Sequence, residues 1–338
     1  MSVWSGRIRR RILTPDVRQV SLEVRGFPTR DPRAKAQLEA AGTAFVEGFA
    51  VAAERDTAGE AAAVLRDIGE SRRGFTFEGA AMALAIRDAL PLGHSHHVAD
   101  FLAVADEHVY MIYVGAGWAL ARLPRPLRRA ALTGLTDPVL SWLALDGYGF
   151  HQAYFHTDRY VRRRYVDAEP PVPLPRHADY AQHAIDQGIG RAMWFVAGAD
   201  PGVASAMIDE FPAHRRGDLL AGLGLAIGYA GGAVPADLGV FEHRSVADRR
   251  CLGQGVAFAA EARARARIPQ PHTEFAARLL TGHDADAAAA IARDTRPTEP
   301  TIDGRVAYEV WRERIRQRCL PSESSSTLDP TTKAQVHE

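Results

Sequence analysis

Acids and histidines in a few short stretches of this chain have the types and spacings that chemistry uses. In LALDGYGFHQAYFH, residues 143–156, Asp146 stands just before Gly147-x-Gly149, and His151 and His156 follow. A carboxylate and an imidazole brought together can act as general acid and base. Five residues leave a helix about 140° out of phase, so Asp146 and His151 share a face only if the helix begins near Gly149. Gln152 and His156, four apart, do share one. A metal site from this stretch alone is therefore poorly supported, and a polar helix end explains it as well. Asp179, His183, Asp186 and Gln187 make a better stripe, all on one side of a single helix. There His183 lies between two carboxylates, as a general base or a contributor to a metal site would, although a solvated helix face has the same pattern. His94, His96 and His97 form a third group, in a turn after Pro91. Finally, His272, Thr273 and Glu274 open a helix after two prolines, with Thr273 as N-cap and Glu274 in the first turn.

The elements that must position these groups are repetitive. A small-x-small kernel recurs as Gly42-x-Ala44, Gly79-x-Ala81, Gly115-x-Gly117, Gly147-x-Gly149, Gly188-x-Gly190, Gly222-x-Gly224 and Gly255-x-Ala257. The intervals are 37, 36, 32, 41, 34 and 33 residues, the size of one helical hairpin. Bare positions let another helix backbone approach closely, at a propensity cost of about 1 kcal/mol per glycine. GxG without a third glycine or a preceding strand is here a packing motif and not a dinucleotide fingerprint.

Paired kernels are offset by 146 (42 to 188), 143 (79 to 222) and 140 (115 to 255) residues, and SRRGFTFEG matches HRRGDLLAG. The fold class expected is all-α, with helical-hairpin units of about 35 residues duplicated in two pseudo-symmetric halves. Residues 1–30 read as a basic arm, with one edge strand at Val20, Leu22 and Val24. The halves are 31–166 and 177–318, joined by the proline-rich linker 167–176, and a polar tail, 319–338, reads as disordered. Ala285 to Ala292 is the weakest unit, having lost its glycines. Immediately before the kernels stand Ala41, Glu78, Val114, Asp146, Gln187, Ala221 and Gln254. Four of these seven are polar where packing predicts burial; they either face a central cavity or cap helix ends. Aromatic residues cluster near the kernels, Trp118, Trp142, Tyr148, Phe150 and Trp194 among them. They fit a core, or a pocket for a long apolar or polyunsaturated ligand.

The totals exclude some classes. Lys plus Arg and Asp plus Glu balance at 41 each, so no field steers the chain to nucleic acid or an anionic membrane. Cys251 and Cys319, with no CxxC, suit a reducing cytoplasm. The N-terminal arginines have no apolar stretch behind them, so no signal peptide is expected. The uncharged run from Leu219 to Ala236 carries five glycines and Pro235, which argues against a stable membrane span.

RGFTFEGAAMALA, HVYMIYVGAGWALARLP, LALDGYGFHQAYFH, IDQGIGRAMWFVAGADP and PHTEF resemble the signature segments of an actinobacterial family. That family occurs in the conserved cassette of enediyne biosynthetic gene clusters, beside the enediyne polyketide synthase and its thioesterase. The resemblance runs from roughly Arg9 to Arg314. It implies a part in enediyne antibiotic biosynthesis, converting the synthase's linear polyene towards the enediyne core, with other cassette proteins as possible partners. It names no cofactor and assigns no catalytic residue. On this expectation the chain is an enzyme of unspecified reaction class, and a cleft between the halves holds an apolar polyene-like molecule. Glu78, Asp146, His151, His183 and Asp186 are then the candidate acids and bases. Gln187, Gln254, Trp118, Tyr148, Phe150 and Trp194 are the candidate substrate contacts. The alternative is a non-catalytic helical-repeat scaffold that holds partner enzymes or shields a reactive polyene. Polar groups converging in one cavity favour the enzyme, and outward groups beside an exposed apolar patch favour the scaffold.

Overall fold

The computed structural model describes residues 3–90, 96–171 and 175–320. The protein is all-α, and among the described residues the only strands are the two-residue pair Thr301–Ile302 and Arg305–Val306. The N-terminal arm holds α1 (Val3–Leu13) and the single turn α2 (Leu22–Arg25). Long kernel helices then alternate with shorter ones: α3 (Pro32–Glu54), α4 (Ala58–Arg66), α5 (Glu70–Ala89), α6 (His97–Val104), α7 (Val109–Arg122), α8 (Arg125–Ala131) and α9 (Leu143–Phe155). Past the proline-rich stretch come α10 (Ala181–Val196), α11 (Pro201–Asp209), α12 (Ala213–Ala230) and α13 (Val246–Arg265). The last three are α14 (Pro271–Thr281), α15 (Ala285–Asp294) and α16 (Ala307–Arg318). Local sequence sets the starts. Asp31 accepts from the Arg33 N–H with Pro32 in the first turn, Thr57 and Glu60 form a reciprocal capping box, and Asp200 and Asp284 cap α11 and α15.

The seven kernel helices, α3, α5, α7, α9, α10, α12 and α13, pack side by side in chain order. Residues i and i+2 lie about 200° apart on a helix, so GxG bares two opposite flanks. The first glycine faces the helix before it and the second the helix after it. Gly147 meets Val114 of α7 and Gly149 meets Ile185 of α10; Gly188 meets Asp146 of α9 and Gly190 meets Leu219 of α12. A Cβ at any kernel glycine from Gly79 to Gly255 would lie 1.8–2.2 Å from a carbonyl oxygen of the neighbouring helix. The propensity lost at each glycine is thus offset by backbone-to-backbone packing that no larger residue permits. Gly42 has no earlier kernel helix, and Val20 of the arm fills that place, its Cβ 2.8 Å from where a glycine Cβ would be.

The row passes the proline-rich stretch unbroken, because α9 packs on α10 as every other step packs. It also curls on itself. Gln37 of α3 donates to the Ala230 carbonyl of α12 (3.1 Å), Phe75 of α5 meets Tyr229 of α12 edge-on (5.2 Å), and Tyr110 of α7 reaches Glu261 of α13 (3.3 Å). The interior space therefore lies inside a ring of helices, and not in a cleft between halves. The main core of buried side chains runs from Leu22 to Cys319, with a smaller cluster of Met111, Tyr229, Ala259 and Ala262 beside it.

Several local expectations change. Val17–Val20 is a 3-10 turn leading into α2, where a strand was expected; three alternating apolar residues cannot hold a strand without a partner. The arm is fixed to the body: Arg9 donates to the carbonyls of Ala53 and Glu54, satisfying the exposed C-terminal end of α3. At the other terminus Cys319 is buried and the Leu320 N–H donates to the Thr281 carbonyl, so ordered packing extends past Arg318. Residues 321–338 of the expected tail, and 172–174 of the linker, lie outside the described residues.

Candidate functional site

The ring holds a cavity of about 80 Å³. Its wall follows the kernels. Three residues beyond the first small residue of each kernel stand Phe45, Met82, Trp118, Phe150, Arg191 and Leu225, and all six line it. The seventh of the row, Phe258, lines another cavity that shares Arg191, Leu225 and Tyr229 with the first. Neighbouring rings touch: Phe45 and Trp118 have centroids 4.4 Å apart, Trp118 and Phe150 4.9 Å, and Phe150 and Phe195 5.3 Å. Sequence reasoning missed Arg191. A signal was present, because Arg191 is the one charged member of a row that is otherwise large and apolar.

At the base of this aromatic wall lies a buried polar chain. Trp118 Nε1 donates to Glu78 Oε1 at 3.0 Å, and Arg191 Nη1 stands 3.5 Å from the same oxygen. Arg191 Nε lies 2.9 Å from Asp146 Oδ1, out of line for a hydrogen bond and therefore a Coulombic contact. Gln187 Nε2 donates to Asp146 Oδ2 (2.8 Å) and to the Tyr308 hydroxyl (2.9 Å). Glu78, Asp146 and Gln187 are all buried, so the helix-cap reading fails for them: each side chain is spent inside the ring. Burial raises the pKa of both carboxyls. For Asp146 the charge of Arg191, the Gln187 amide and Arg312 oppose the rise. For Glu78, Arg191 and Trp118 oppose it, but Asp146 adds to it. One guanidinium therefore serves two carboxyls, both of which burial pushes towards the neutral form.

His151 also lines the cavity, and its ring meets Trp118 edge-on at 5.6 Å. Its place in the kernel register is held elsewhere by Val46, Ala83, Ala119, Ala192, Ala226 and Ala259. Burial, with Arg122 and His156 nearby, lowers its pKa to about 3. It is a neutral imidazole whose Nδ1 has no hydrogen-bond partner among the described residues.

The remaining candidates fall elsewhere. His183 is half exposed and pairs with Asp218 (2.7 Å), not with its sequence neighbours, while Asp179 is exposed. The Asp218 hydrogen bond outweighs burial and raises the His183 pKa. Asp186 is buried in an ion pair with Arg215. Gln254 accepts from Arg312 Nε (3.0 Å), and Arg312 also reaches the Tyr180 hydroxyl (3.1 Å) and Asp218 (2.7 Å). Burial pushes Asp218 up, but Arg312, His183 and Arg316 prevail and hold it at about 2. Tyr148 points away from the cavity, its hydroxyl on Asp167 at 2.5 Å, and Trp194 donates to the Gly231 carbonyl at 2.8 Å. Of the six expected substrate contacts, Trp118 and Phe150 line the cavity. Thr273 does not cap α14: its hydroxyl donates to the Gly228 carbonyl (2.7 Å), and Gln270 occupies the cap position. His97 is held between Asp88 and Arg87 (2.8 Å each), and His94 lies outside the described residues. Among the described residues no three of His, Cys, Asp and Glu gather as a metal site, and no helix is long and apolar enough to cross a membrane.

Fold and cavity together define an all-α protein with an aromatic chamber closed by a buried acid–guanidinium cluster. The chain belongs to the family described as protein of unknown function, DUF1702, whose profile matches residues 4–319. No curated protein and no solved structure matches it.

Proposed function

We propose that this protein is a natural-product pathway enzyme that takes an extended, apolar, conjugated chain into the ring and acts on it with Glu78 and His151, Asp146 holding Arg191 behind them. In its concrete form the substrate is the linear polyene made by an enediyne polyketide synthase, the setting that the sequence resemblance implies. One observation carries the reading: a cavity walled by Phe45, Trp118, Phe150 and Phe195 offers polar groups chiefly at its base, where Glu78 and Arg191 meet. Flat rings suit a planar conjugated chain, and a buried carboxyl with a raised pKa and a neutral imidazole, both lining the cavity, are groups fit for proton transfer.

The test is direct. A linear conjugated tetraene, whose fluorescence rises on leaving water, is titrated into the protein; saturable binding is expected, and Ala226→Phe, which fills the cavity, abolishes it. The synthase's polyene is then incubated with the protein, with and without the cassette partners and added metal, and followed by absorption and mass. Binding with no chemical change under any of these conditions sinks the enzymatic part of the reading.

A further inference from the structure

Glu78, Arg191 and Tyr229 all line the chamber: Arg191 Nη1 lies 3.5 Å from Glu78 Oε1, and the Tyr229 hydroxyl seats against Gly74, one turn before Glu78 on α5. Arg191 Nη2 and the Tyr229 hydroxyl are buried with no hydrogen-bond partner among the described residues, although both side chains line the cavity. Arg191 is 6% exposed and Tyr229 3%, so solvent does not satisfy them. The Tyr229 ring is held in place. Its hydroxyl lies 1.8 Å from where a Cβ on Gly74 would be, Phe75 meets it edge-on, and the Arg263 guanidinium lies 4.1 Å from its centroid. Burial keeps its proton on, with the pKa pushed up to about 12. The third donor is Glu78. Asp146 takes the closer contact to Arg191 and the Gln187 amide, while burial and the Asp146 charge raise the Glu78 pKa and favour its neutral carboxyl.

We propose that this part of the chamber binds the carbonyl oxygen of a neutral ligand, so that the substrate class is an extended conjugated chain bearing a ketone, aldehyde or ester. The oxygen is received by Arg191 Nη2, the Tyr229 hydroxyl and the Glu78 carboxyl. This rests on the function proposed above and narrows it. A hydrocarbon end leaves three buried donors without an acceptor. An alcohol brings one more donor to a cluster of donors. A carboxylate brings a further negative charge to a guanidinium that Asp146 already neutralises.

The experiment compares three linear tetraenes of equal length ending in a methyl ketone, a carboxylate or a methyl group, each titrated into the full chain near neutral pH. The ketone is expected to bind about ten-fold or more tighter than the other two, with its absorption maximum moved to longer wavelength by hydrogen bonding. Tyr229→Phe keeps the ring and is expected to remove most of that preference. Glu78→Gln, which keeps a neutral donor in the same place, is expected to retain it. Equal affinity for all three, or tightest binding of the carboxylate, overturns the carbonyl site while leaving the chamber as an apolar-chain site. No saturable binding of any tetraene overturns both.

Discussion

Gln187 donates from Nε2 to Asp146 Oδ2 across 2.8 Å, and each of the two residues stands immediately before a kernel glycine. The carbonyl of Asp146 is also where Gly188 seats, the place of a Cβ there being 1.9 Å from the oxygen. The contact that packs α10 on α9 thus also fixes the distance between the two polar side chains. The same seating recurs along the ring: Gly115 meets the Glu78 carbonyl and Gly222 the Gln187 carbonyl. Glycine packing and polar placement are one device, which sets the site on rigid helices and not on loops.

That device makes the kernel glycines intolerant. In Gly222→Ala the new methyl would lie 1.8 Å from the Gln187 carbonyl oxygen, a backbone atom that cannot yield without separating α12 from α10. A loss of about 3 kcal/mol is expected in urea unfolding, at the upper end of overpacking costs. Gly59, in α4, has nothing within 4 Å of its Cβ position. Gly59→Ala should stabilise by about 0.5–1 kcal/mol, the helix-propensity gain alone.

Arg191 is the only cation in contact with both Glu78 and Asp146 among the described residues. Arg191→Met keeps the length of the side chain but leaves two carboxyls in a dry interior, for an expected cost of about 3–5 kcal/mol at neutral pH. Both pKa values are already raised by burial and rise further without the guanidinium. Raised folded-state values mean that stability is present below the unfolded pKa and lost as pH rises, so the variant should regain stability on acidification. Adding Glu78→Gln and Asp146→Asn should remove that pH dependence. A variant equally unstable at every pH would show that repacking, and not charge, is the cause.

The parts of this site legible in the sequence are those that obey the repeat. Glu78, Asp146, Gln187 and Gln254 stand out because a packing position should be small or apolar, and the structure buries all four. Arg191 obeys the same register three residues beyond the first glycine, and comparing that row across the seven copies would have shown it. Tyr308 and Arg312 were not legible, since α16 carries no kernel and its meeting with Gln187 and Gln254 spans 121 and 58 residues of chain. The His183 stripe misled for a geometric reason. Spacing places residues on one face of a helix but does not say which neighbour that face meets, and here it meets Asp218 of α12. The short arm was misread because an apolar alternation of three residues carries too little information to separate a strand from two turns.

Buried neutral histidines should set the acid limit of the fold. His108 stacks on Phe77 with centroids 3.9 Å apart, and burial lowers its pKa to about 4 from the ordinary 6.5. The folded state excludes a proton that the unfolded chain binds, so this contribution is complete above about pH 6.5 and is lost on falling towards pH 4. Within that window His108 alone should give a slope of about 1.4 kcal/mol per pH unit. His151, lowered to about 3, acts in the same direction. His108→Phe preserves the stack and should flatten the acid limb of a stability-versus-pH curve by about one proton. An unchanged slope would place that proton elsewhere.

Leu225 separates the two cavities together with Arg191 and Tyr229, and it is the one apolar member of that partition. It contributes no hydrogen bond, so shortening it opens a passage without disturbing the acid–guanidinium cluster. Leu225→Ala is expected to cost roughly 2 kcal/mol of stability through lost contacts. It should also lengthen the space open to a chain, from the aromatic wall around Trp118 through to Phe258 and Trp311. Tetraene and hexaene probes with the same end group distinguish the outcomes. If the partition sets chain length, the variant gains affinity for the hexaene relative to the tetraene, compared with the native chain. If both probes weaken together, Leu225 serves only as wall, and chain length is set elsewhere along the cavity lining, to which Gln19 and Val20 of the arm contribute.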